Sequence, residues 1–368
     1  MTGPKDESVQ KSEPPAEDGA THDPVPGSAR EAVERLAGES RGRLLALLAA
    51  AVRDLALAED GLADAFERAL RTWPETGVPQ RPEAWLMTVA RNRIRDHLGS
   101  AAARSSVPMD AKVADVQSED STARLDAVDV ERIPDKRLEL LFACAHPAIA
   151  ETMRTPLMLQ VVFGCDAAEV ARLYGVPTAT MAQRLVRTKR RIRDAGIPFH
   201  IPTREDMLAR LAAVLEAIYG AYASDWLDQR DAVRESLADE ARWLAVLVAE
   251  LLGDEPEAWG LAALLTFAQS RAPARASDPW PPIQEQDTAL WDPRLIRQAE
   301  AFLHRAHRLG APLGRFQLEA AIQSVHGDRK RTGRLDRARL LQLYDGLIAV
   351  APTHGAVAAR AAVLAAEK

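Results

Sequence analysis

The sequence predicts an all-α protein, and three observations carry that prediction. Alanine, leucine and arginine dominate, and these residue types favour helices. Apolar residues recur at spacings of three and four, the period of a helix with one buried face. No alternating strand pattern appears, and runs of β-branched residues are scarce. Two of the apolar stripes comprise Leu44, Leu47, Leu48, Ala51, Leu55 and Ala58, and Leu211, Val214, Leu215, Ile218 and Tyr222.

Composition excludes several classes of protein. The 47 Lys and Arg against 53 Asp and Glu give a net charge of -6, which argues against a uniformly basic surface but permits local basic patches. Two cysteines exclude a disulfide scaffold and a multi-cysteine zinc site. No run of eighteen apolar residues occurs, and the N-terminus lacks the apolar core of a secretory signal. We therefore expect a cytoplasmic protein without membrane contact.

Shifts in composition divide the chain into five parts. The first 28 residues carry six acids and five prolines without an aromatic residue, which predicts a disordered tail. Alanine, serine and aspartate enrich a later stretch, which is interpreted as a linker, and glycine and prolines near 196–202 end a long basic helix. The predicted parts are a tail over 1–28, a helical domain over 29–100, a linker over 101–132, a second helical domain over 133–200 and a helical extension over 203–368.

The first informative segment runs from Ala58 to Leu70. Leu62, Phe66 and Leu70 are predicted to share one face of a helix, with acidic residues elsewhere on its surface. The simpler interpretation is an amphipathic helix with a solvated acidic side. The functional interpretation is a docking face for a basic partner helix.

The second informative segment runs from Trp73 to Leu98. Trp73-Pro74 is predicted to end one helix, and an irregular loop containing glycine and two prolines precedes the next. The stretch from Trp85 to Arg104 contains four arginines and one aspartate, which gives it a net charge of +3. The segment fits either a core helix with an exposed arginine face or a nucleic-acid surface. The predicted buried stripe of this helix is Trp85, Val89, Ile94 and Leu98.

The third segment, Cys165 to Arg193, has the pattern of a helix-turn-helix. A small residue, Ala171, allows close helix contact, Gly175 supplies the tight turn and Val176 fills the core. Thr178 is predicted to cap the second helix. Six basic residues against one acid between Pro177 and His200 suit a recognition helix in the major groove, although a plain basic hairpin is the alternative. Met181, Leu185 and Ile192 form the predicted inner stripe, and Thr180, Gln183, Arg184, Arg187 and Lys189 the outer face.

These three segments, in this order, resemble bacterial RNA polymerase sigma factors of the extracytoplasmic-function subfamily. The resemblance implies two small sigma domains joined by a linker. AEDGLADAF would dock on the polymerase clamp helices, PEAWLMTVARNRIRDHL would open and read the −10 element, and CDAAEVARLYGVPTATMAQRLVRTKRRIR would read the −35 element. The implied residues are Glu59, Asp60, Asp64 and Phe66 for polymerase docking; Arg91, Asn92, Arg93 and Arg95 for −10-type DNA binding; and Thr178, Thr180, Gln183, Arg184, Arg187, Lys189 and Arg190 for −35-type DNA binding.

The C-terminal part narrows the resemblance to one subgroup. IPDKRLELLFACAHPAI, LADEARWLAVLVAELLGDEPEAWGLAALLTF, DTALWDP and FQLEAAIQSVH are similar to sigma factors with a long helical-repeat (TPR-like) extension. Leu340 to Ala366 is predicted as a helix, a turn at Pro352 and a second helix, which fits one repeat boundary. The resemblance spans roughly residues 40 to 365.

No catalytic or cofactor motif is found, so neither an enzyme nor a cofactor is predicted. Cys144, His146 and Cys165 match no usual zinc spacing, and buried cysteines are the favoured interpretation. His304 and His307 are expected on a solvated helix face. Phosphate-binding loops, dinucleotide-binding glycines and the common hydrolase motifs do not occur in the sequence.

The predicted function is therefore promoter-specific initiation of transcription. The expected partners are core RNA polymerase and promoter DNA, with an intramolecular contact between the C-terminal domain and the two sigma domains through which it regulates the protein in cis. Two alternatives remain open from the residues. One is a one-component, ligand-sensing helix-turn-helix regulator, and the other is a helical-repeat scaffold whose basic helix docks on acidic partners.

Overall fold

A computed structural model shows an all-α architecture, as predicted, with no strand among the residues that it describes. The predicted tail over 1–28 and most of the predicted linker lie outside those residues, so the domain boundaries stay predictions. The described ranges are 29–104, 136–197, 202–227, 235–275, 281–310 and 312–365.

Four helices form the N-terminal domain. They are α1 (Ala29–Glu39), α2 (Arg41–Val52), α3 (Leu55–Thr76) and α4 (Pro82–Arg104). The predicted stripe from Leu44 to Ala58 is buried, but it is split between α2 and α3. The break lies at Arg53, whose φ of 57° is incompatible with a continuing helix, and at Asp54, whose carboxylate caps α3.

The end of α3 differs from the prediction. The helix continues through Pro74 to Thr76, so Trp73-Pro74 does not end it. Proline near the end of a helix forfeits one hydrogen bond to the preceding turn, and this last turn is largely exposed. The terminating residue is Gly77, with φ 81° and its N–H donating to the carbonyl of Trp73 at 3.0 Å. Pro82 then opens α4, which extends four residues into the stretch predicted as a linker.

Four shorter helices form the second domain. They are α5 (Arg137–Cys144), α6 (Glu151–Val161), α7 (Ala167–Leu173) and α8 (Thr178–Asp194). The Asp166 carboxylate accepts hydrogen bonds from two N–H groups at the start of α7, and the Glu169 carboxylate accepts one from the N–H of Asp166. This capping box fixes where the short helix begins.

The C-terminal extension is a stack of helices. The predicted stripe from Leu211 to Tyr222 is buried, and the predicted helical pair on either side of Pro352 is present. The helices are α9 (Arg204–Leu227), α10 (Glu235–Leu252), α11 (Pro256–Gln269), α12 (Pro293–Arg308), α13 (Arg315–Gly327), α14 (Arg329–Thr332), α15 (Arg337–Val350) and α16 (His354–Ala365), with 3-10 turns at Ala272–Arg275 and Thr288–Leu290.

Helix α11 lies at the centre of the extension. Every residue from Ala258 to Ala268 is buried, because α10, α12 and α13 pack around it. A helix that is apolar on all sides is typical of such a central position. Neither α11 nor any other helix of the described ranges is long and apolar enough to cross a membrane.

One continuous apolar core joins the first domain, the second domain and the C-terminal extension. It extends from Ala32 in α1 to Ala320 in α13 and includes both buried cysteines, Cys144 and Cys165, as expected. A second, smaller cluster lies between α13, α15 and α16. The two N-terminal domains therefore share their core with the extension instead of standing apart from it.

Specific polar contacts accompany this shared core. Arg137 at the start of α5 is buried, forms an ion pair with Glu240 in α10 and lies 4.8 Å from the ring centroid of Trp243. Arg210 in α9 donates to the carbonyl of Phe142 at 3.2 Å. These two arginines, each bonded across the boundary, orient the second domain against the extension.

Acid is expected to weaken the extension through one buried histidine. His326 in α13 is 3% exposed, and burial together with the nearby Arg271 and Arg329 lowers its pKa from 6.5 to about 4. The folded state therefore resists protonation that the unfolded chain accepts below pH 6.5. The contribution of neutral His326 to the free energy of unfolding should be fully present above pH 6.5. The free energy of unfolding should fall by about 3 kcal/mol as the pH drops towards 4.

Urea unfolding at pH 7 and pH 4.5 checks this expectation. His326→Gln should remove most of the pH dependence in this window, whereas the matched variant His304→Gln, at an exposed position, should retain it. Identical pH dependence in both variants would contradict the assignment.

Candidate nucleic-acid and protein interface

The turn between α7 and α8 has the geometry that the sequence predicts. Gly175 has φ 62°, a left-handed conformation that suits glycine. Ala171 is buried at the helix contact, and the N–H of Val176 donates to its carbonyl at 3.0 Å. Val176 is half-buried against the core. The two helices and this turn form a helix-turn-helix.

Thr178 does not cap α8, which corrects the sequence interpretation. The helix begins at Thr178, and the cap position is occupied by Pro177, whose extended backbone has φ -61° and ψ 138°. Proline's restricted φ suits this non-helical position, and its carbonyl accepts from the N–H of Met181. The exposed Thr178 side chain is left at the start of the helix, on the surface.

Helix α8 separates its buried and exposed faces as predicted, with one addition. Met181, Leu185 and Ile192 are buried together with Thr188, whose hydroxyl donates to the carbonyl of Arg184 at 2.8 Å. The apolar pattern could not identify Thr188, because threonine is a polar residue. It can be buried because its hydroxyl is hydrogen-bonded within the helix. Of the outer residues, Thr180 is half-buried, and those exposed are Gln183, Arg184, Arg187 and Arg190.

Lys189 is instead engaged with the N-terminal domain. Its Nζ lies 2.6 Å from Oε2 of Glu59 in α3, and the two side chains are only 16% and 13% exposed. Arg41 Nη2 lies 3.8 Å from the other oxygen of Glu59. The same carboxylate contributes, after burial itself, to raising the pKa of the Cys144 thiol. Residues predicted for two different interfaces thus contact each other.

The backbones of the two domains also meet closely beside this ion pair. Gly42 in α2 lies so near the carbonyl oxygen of Val162, at the end of α6, that an added Cβ would clash with it. Arg41 donates from Nη1 to the carbonyl of Gln160 at 3.3 Å. Glycine at position 42 therefore permits the approach of α2 to α6.

Arg91, Arg93 and Arg95 lie within about one turn of α4, where Arg93 is exposed and Arg95 is half-buried. Arg95 donates to the side-chain oxygen of Asn92 at 2.9 Å, and Arg93 Nε lies 3.7 Å from Asp64 of α3. Arg91 is half-buried. Of the predicted inner stripe, Val89 and Ile94 are buried, while Trp85 and Leu98 are half-buried; Leu86, Met87 and Ala90 complete the buried face.

The buried face of α3 is rotated from the predicted one. Leu62 is buried and Phe66 is half-buried, but Leu70 is 47% exposed, so the prediction is wrong at this residue. A run spaced by four drifts around a helix of 3.6 residues per turn. The observed face consists mainly of small residues, which let α3 approach α4: Ala58, Gly61, Leu62, Ala65, Ala69 and Trp73.

Three acidic residues of α3 form a ridge on the opposite side. Asp60 and Glu67 are exposed, and the Asp64 side chain is 41% exposed. Spacings of four and three place these carboxylates in one row pointing to solvent. We call Asp60, Asp64 and Glu67 the acidic ridge.

The remaining candidate residues lie away from these surfaces. His304 and His307 are exposed on α12, as expected. Across the described ranges, no three His, Cys, Asp or Glu side chains cluster so as to hold a metal ion.

Comparison with known proteins identifies two regions. Residues 36–104, which include α2, α3 and α4, match the family described as Sigma-70 region 2. Residues 210–307 match a family of unknown function, DUF6596. The helical-repeat character of the extension stays a prediction, since this match does not name it. No solved structure matches the chain.

Curated relatives cover most of the chain. The Rhizobium meliloti protein named "Uncharacterized protein R00370" is 35% identical over 305 residues, which cover 82% of this chain and 72% of that protein. The Mycobacterium tuberculosis protein named "Probable ECF RNA polymerase sigma factor SigI" is 27% identical over 234 residues, which cover 63% of this chain and 76% of that protein. The same match occurs in a second strain.

Proposed function

Since the chain belongs to the RNA polymerase sigma factors of the extracytoplasmic-function type, we propose that its acidic ridge binds core polymerase while α4 and α8 read the two promoter elements. One observation carries the proposal. A Sigma-70 region 2 match over 36–104 is followed, in the same chain, by a helix-turn-helix with exposed arginines on its second helix. A one-component regulator needs only the second of these.

The proposed roles of α4 and α8 follow from the chemistry of their side chains. Arginines bind phosphates at any sequence and supply affinity, whereas a few groups that reach base edges supply discrimination. Arg184 and Arg187, three residues apart on α8, suit the upstream element. Asn92 and Arg93 on α4 suit the downstream element, where strand opening exposes bases. Because the whole chain is acidic, productive DNA binding would occur mainly within the polymerase complex.

Transcription with purified core polymerase tests the proposal. Full-length protein is added to sigma-free core enzyme with a library of genomic fragments, and transcript starts are sequenced. We expect starts at a shared pair of upstream elements that depend on the added protein. Starts that are unchanged by the protein, or that need no core-binding residues, would reject sigma activity and favour the one-component regulator.

The arrangement of the domains supports regulation in cis. Glu59 of the proposed docking helix and Lys189 of the proposed recognition helix neutralise each other, so neither is available to polymerase or DNA in this conformation. The extension contacts both sides of that junction: α10 packs on α1, and α9 packs on α6. We infer that the extension holds the two domains closed, and that an open conformation binds polymerase.

A single methyl group should shift this equilibrium. Gly42→Ala places a Cβ against the backbone carbonyl of Val162, which cannot move aside as a flexible side chain would, so the junction should open. We expect the affinity for core polymerase to rise at least about fivefold, a typical coupling between two states. Binding is measured by fluorescence anisotropy with labelled core enzyme, and the radius of gyration by X-ray scattering.

Gly99→Ala is the matched control. Gly99 is also helical, but a Cβ there meets nothing within 4 Å, so neither the affinity nor the radius of gyration should change. A more expanded Gly42→Ala variant whose affinity is unchanged or reduced would show that the closed arrangement does not inhibit the protein.

A further inference from the structure

Helices of the extension line an open cavity that the proposed sigma activity does not use. Its volume is about 620 Å³, within the range of small-molecule sites. Its walls come from α9, α11, α13, α15 and α16, so residues distant in sequence converge on it. The cavity lies where the continuous core adjoins the smaller apolar cluster between α13, α15 and α16.

Arg271 brings a buried positive charge to this cavity. It is 4% exposed, follows α11 and lies 5.8 Å from the ring centroid of Trp291. Within the described part of the chain, no carboxylate forms an ion pair with it, and Arg275 adds a second positive charge nearby. Burial, reinforced by Arg275, lowers its pKa to about 10, so it remains charged at neutral pH. A buried charge is costly unless it is paired, and a group with a strongly shifted pKa beside a cavity is a candidate for a binding site.

Arg315, in the wall of the same cavity, provides the contrast. Its Nε lies 2.8 Å from Glu319 and its Nη1 lies 2.6 Å from Glu216, so its charge is compensated within the protein. Among the described residues that line the cavity, Arg271, Arg315 and Glu319 give the wall a net charge of +1. A monovalent anion would balance it, whereas a dianion would be repelled by Glu319.

The rest of the wall is suited to an apolar body with a few polar groups. Tyr219 and Tyr344 present aromatic rings with hydroxyl groups. Gln323 Oε1 is buried and, among the described residues, has no hydrogen-bond partner, so it can accept one from a bound molecule. The aliphatic part of the wall comprises Leu264, Leu265, Ile322 and Leu347.

We propose that this cavity binds a small amphipathic carboxylic acid, with the carboxylate on the Arg271 guanidinium and the apolar body against the leucines of α11. A guanidinium and a carboxylate form two parallel charge-assisted hydrogen bonds, a strong and directional pair. Helix α9 forms part of the wall and also contacts the second domain through Arg210. Any effect of the ligand on transcription therefore rests on the proposed function, whereas binding itself does not.

Matched fluorescent probes test the binding site on the full-length protein. The anionic probe is 8-anilinonaphthalene-1-sulfonate, and N-phenyl-1-naphthylamine is its neutral counterpart. We expect one equivalent of the anionic probe to bind, and decanoate but not decanol to displace it. Arg271→Met, similar in length, should weaken the anionic probe and decanoate at least about tenfold and leave the neutral probe unchanged. Arg271→Lys keeps the charge but loses the planar guanidinium. Its affinity for the anionic probe and decanoate should lie between those of the original protein and Arg271→Met.

Thermal unfolding separates a binding residue from a structural one. Because the charge of Arg271 has no carboxylate partner among the described residues, Arg271→Met should unfold at the same or a higher temperature than the original chain, and decanoate should raise the unfolding temperature only while Arg271 is present. Three results would overturn the proposal. The original protein and the Arg271→Met variant could bind the anionic probe with equal affinity, decanol could displace it as well as decanoate does, or neither probe could bind. Decanoate binding without any effect on transcription would leave the site intact and reject only its link to regulation.

Discussion

Asp60→Lys combined with Asp64→Lys should abolish binding to core polymerase, with a loss of affinity of at least about 100-fold. Both carboxylates belong to the acidic ridge and face away from the buried side of α3, so the helix itself should persist. Placing like charges against a basic partner surface costs several kcal/mol, and the lysine introduced in place of Asp64 would also repel Arg93. Fluorescence anisotropy with labelled core enzyme measures the affinity, and circular dichroism verifies helicity.

A charge-matched control separates local from global electrostatics. Glu250→Lys combined with Glu285→Lys changes the net charge equally, at exposed positions of the extension far along the chain. We expect the affinity of this control for core polymerase to change less than about threefold, because exposed charges that are distant from an interface are screened. Comparable losses in the two double variants, or undiminished binding by the first, would favour an ordinary solvated helix face over a docking surface.

Arg184→Ala and Arg187→Ala should each reduce discrimination at the upstream promoter element by about 10- to 100-fold. A specific contact to a base edge contributes about 1–3 kcal/mol. Both side chains are exposed on α8, so their removal should leave the fold within about 0.5 kcal/mol of its original stability. Run-off transcription on matched and scrambled upstream elements gives the discrimination as a ratio of yields.

Salt dependence distinguishes a base contact from a phosphate contact. Loss of a phosphate contact weakens all sequences alike and lowers the salt slope by about one, whereas loss of a base contact relaxes preference at one position. Arg193→Ala is the control on the same helix, since Arg193 lies at its C-terminal end beside Asp194. Full discrimination by both test variants would mean that the recognition surface lies elsewhere.

Most of the fold can be predicted from the sequence because it depends on short-range rules. The turn at Gly175, the buried residues Met181, Leu185 and Ile192, and the helical pair around Pro352 all follow from periodicity and backbone preference. The errors are of one or two residues or one helix face. Pro74 is tolerated within a helix, Pro177 displaces Thr178 from the cap, and Leu70 lies outside the buried face of α3.

The candidate surfaces are only partly predictable. The sequence assigns Glu59 to docking and Lys189 to DNA binding, and nothing in either segment indicates that the two pair across 130 positions of the chain. From the sequence, Gly42 is only a residue that weakens its helix. The structure shows that the carbonyl of Val162 lies against it and leaves no room for a side chain. Arg271 follows an apolar helix in the sequence and gives no sign that it is buried without a carboxylate partner among the described residues.

Local sequence patterns are sufficient to specify the helices, the helix-turn-helix, the acidic ridge and the resemblance to sigma factors. Each of these depends on residues within a few turns of one another, where spacing alone decides which side chains share a face. The packing of the helices reveals two further features. These are the contact of the first and second domains through Glu59 and Lys189, and the cavity that five helices line beside Arg271. Such contacts depend on how whole helices pack, and close packing is decided by the combined shape of many side chains that no local pattern encodes.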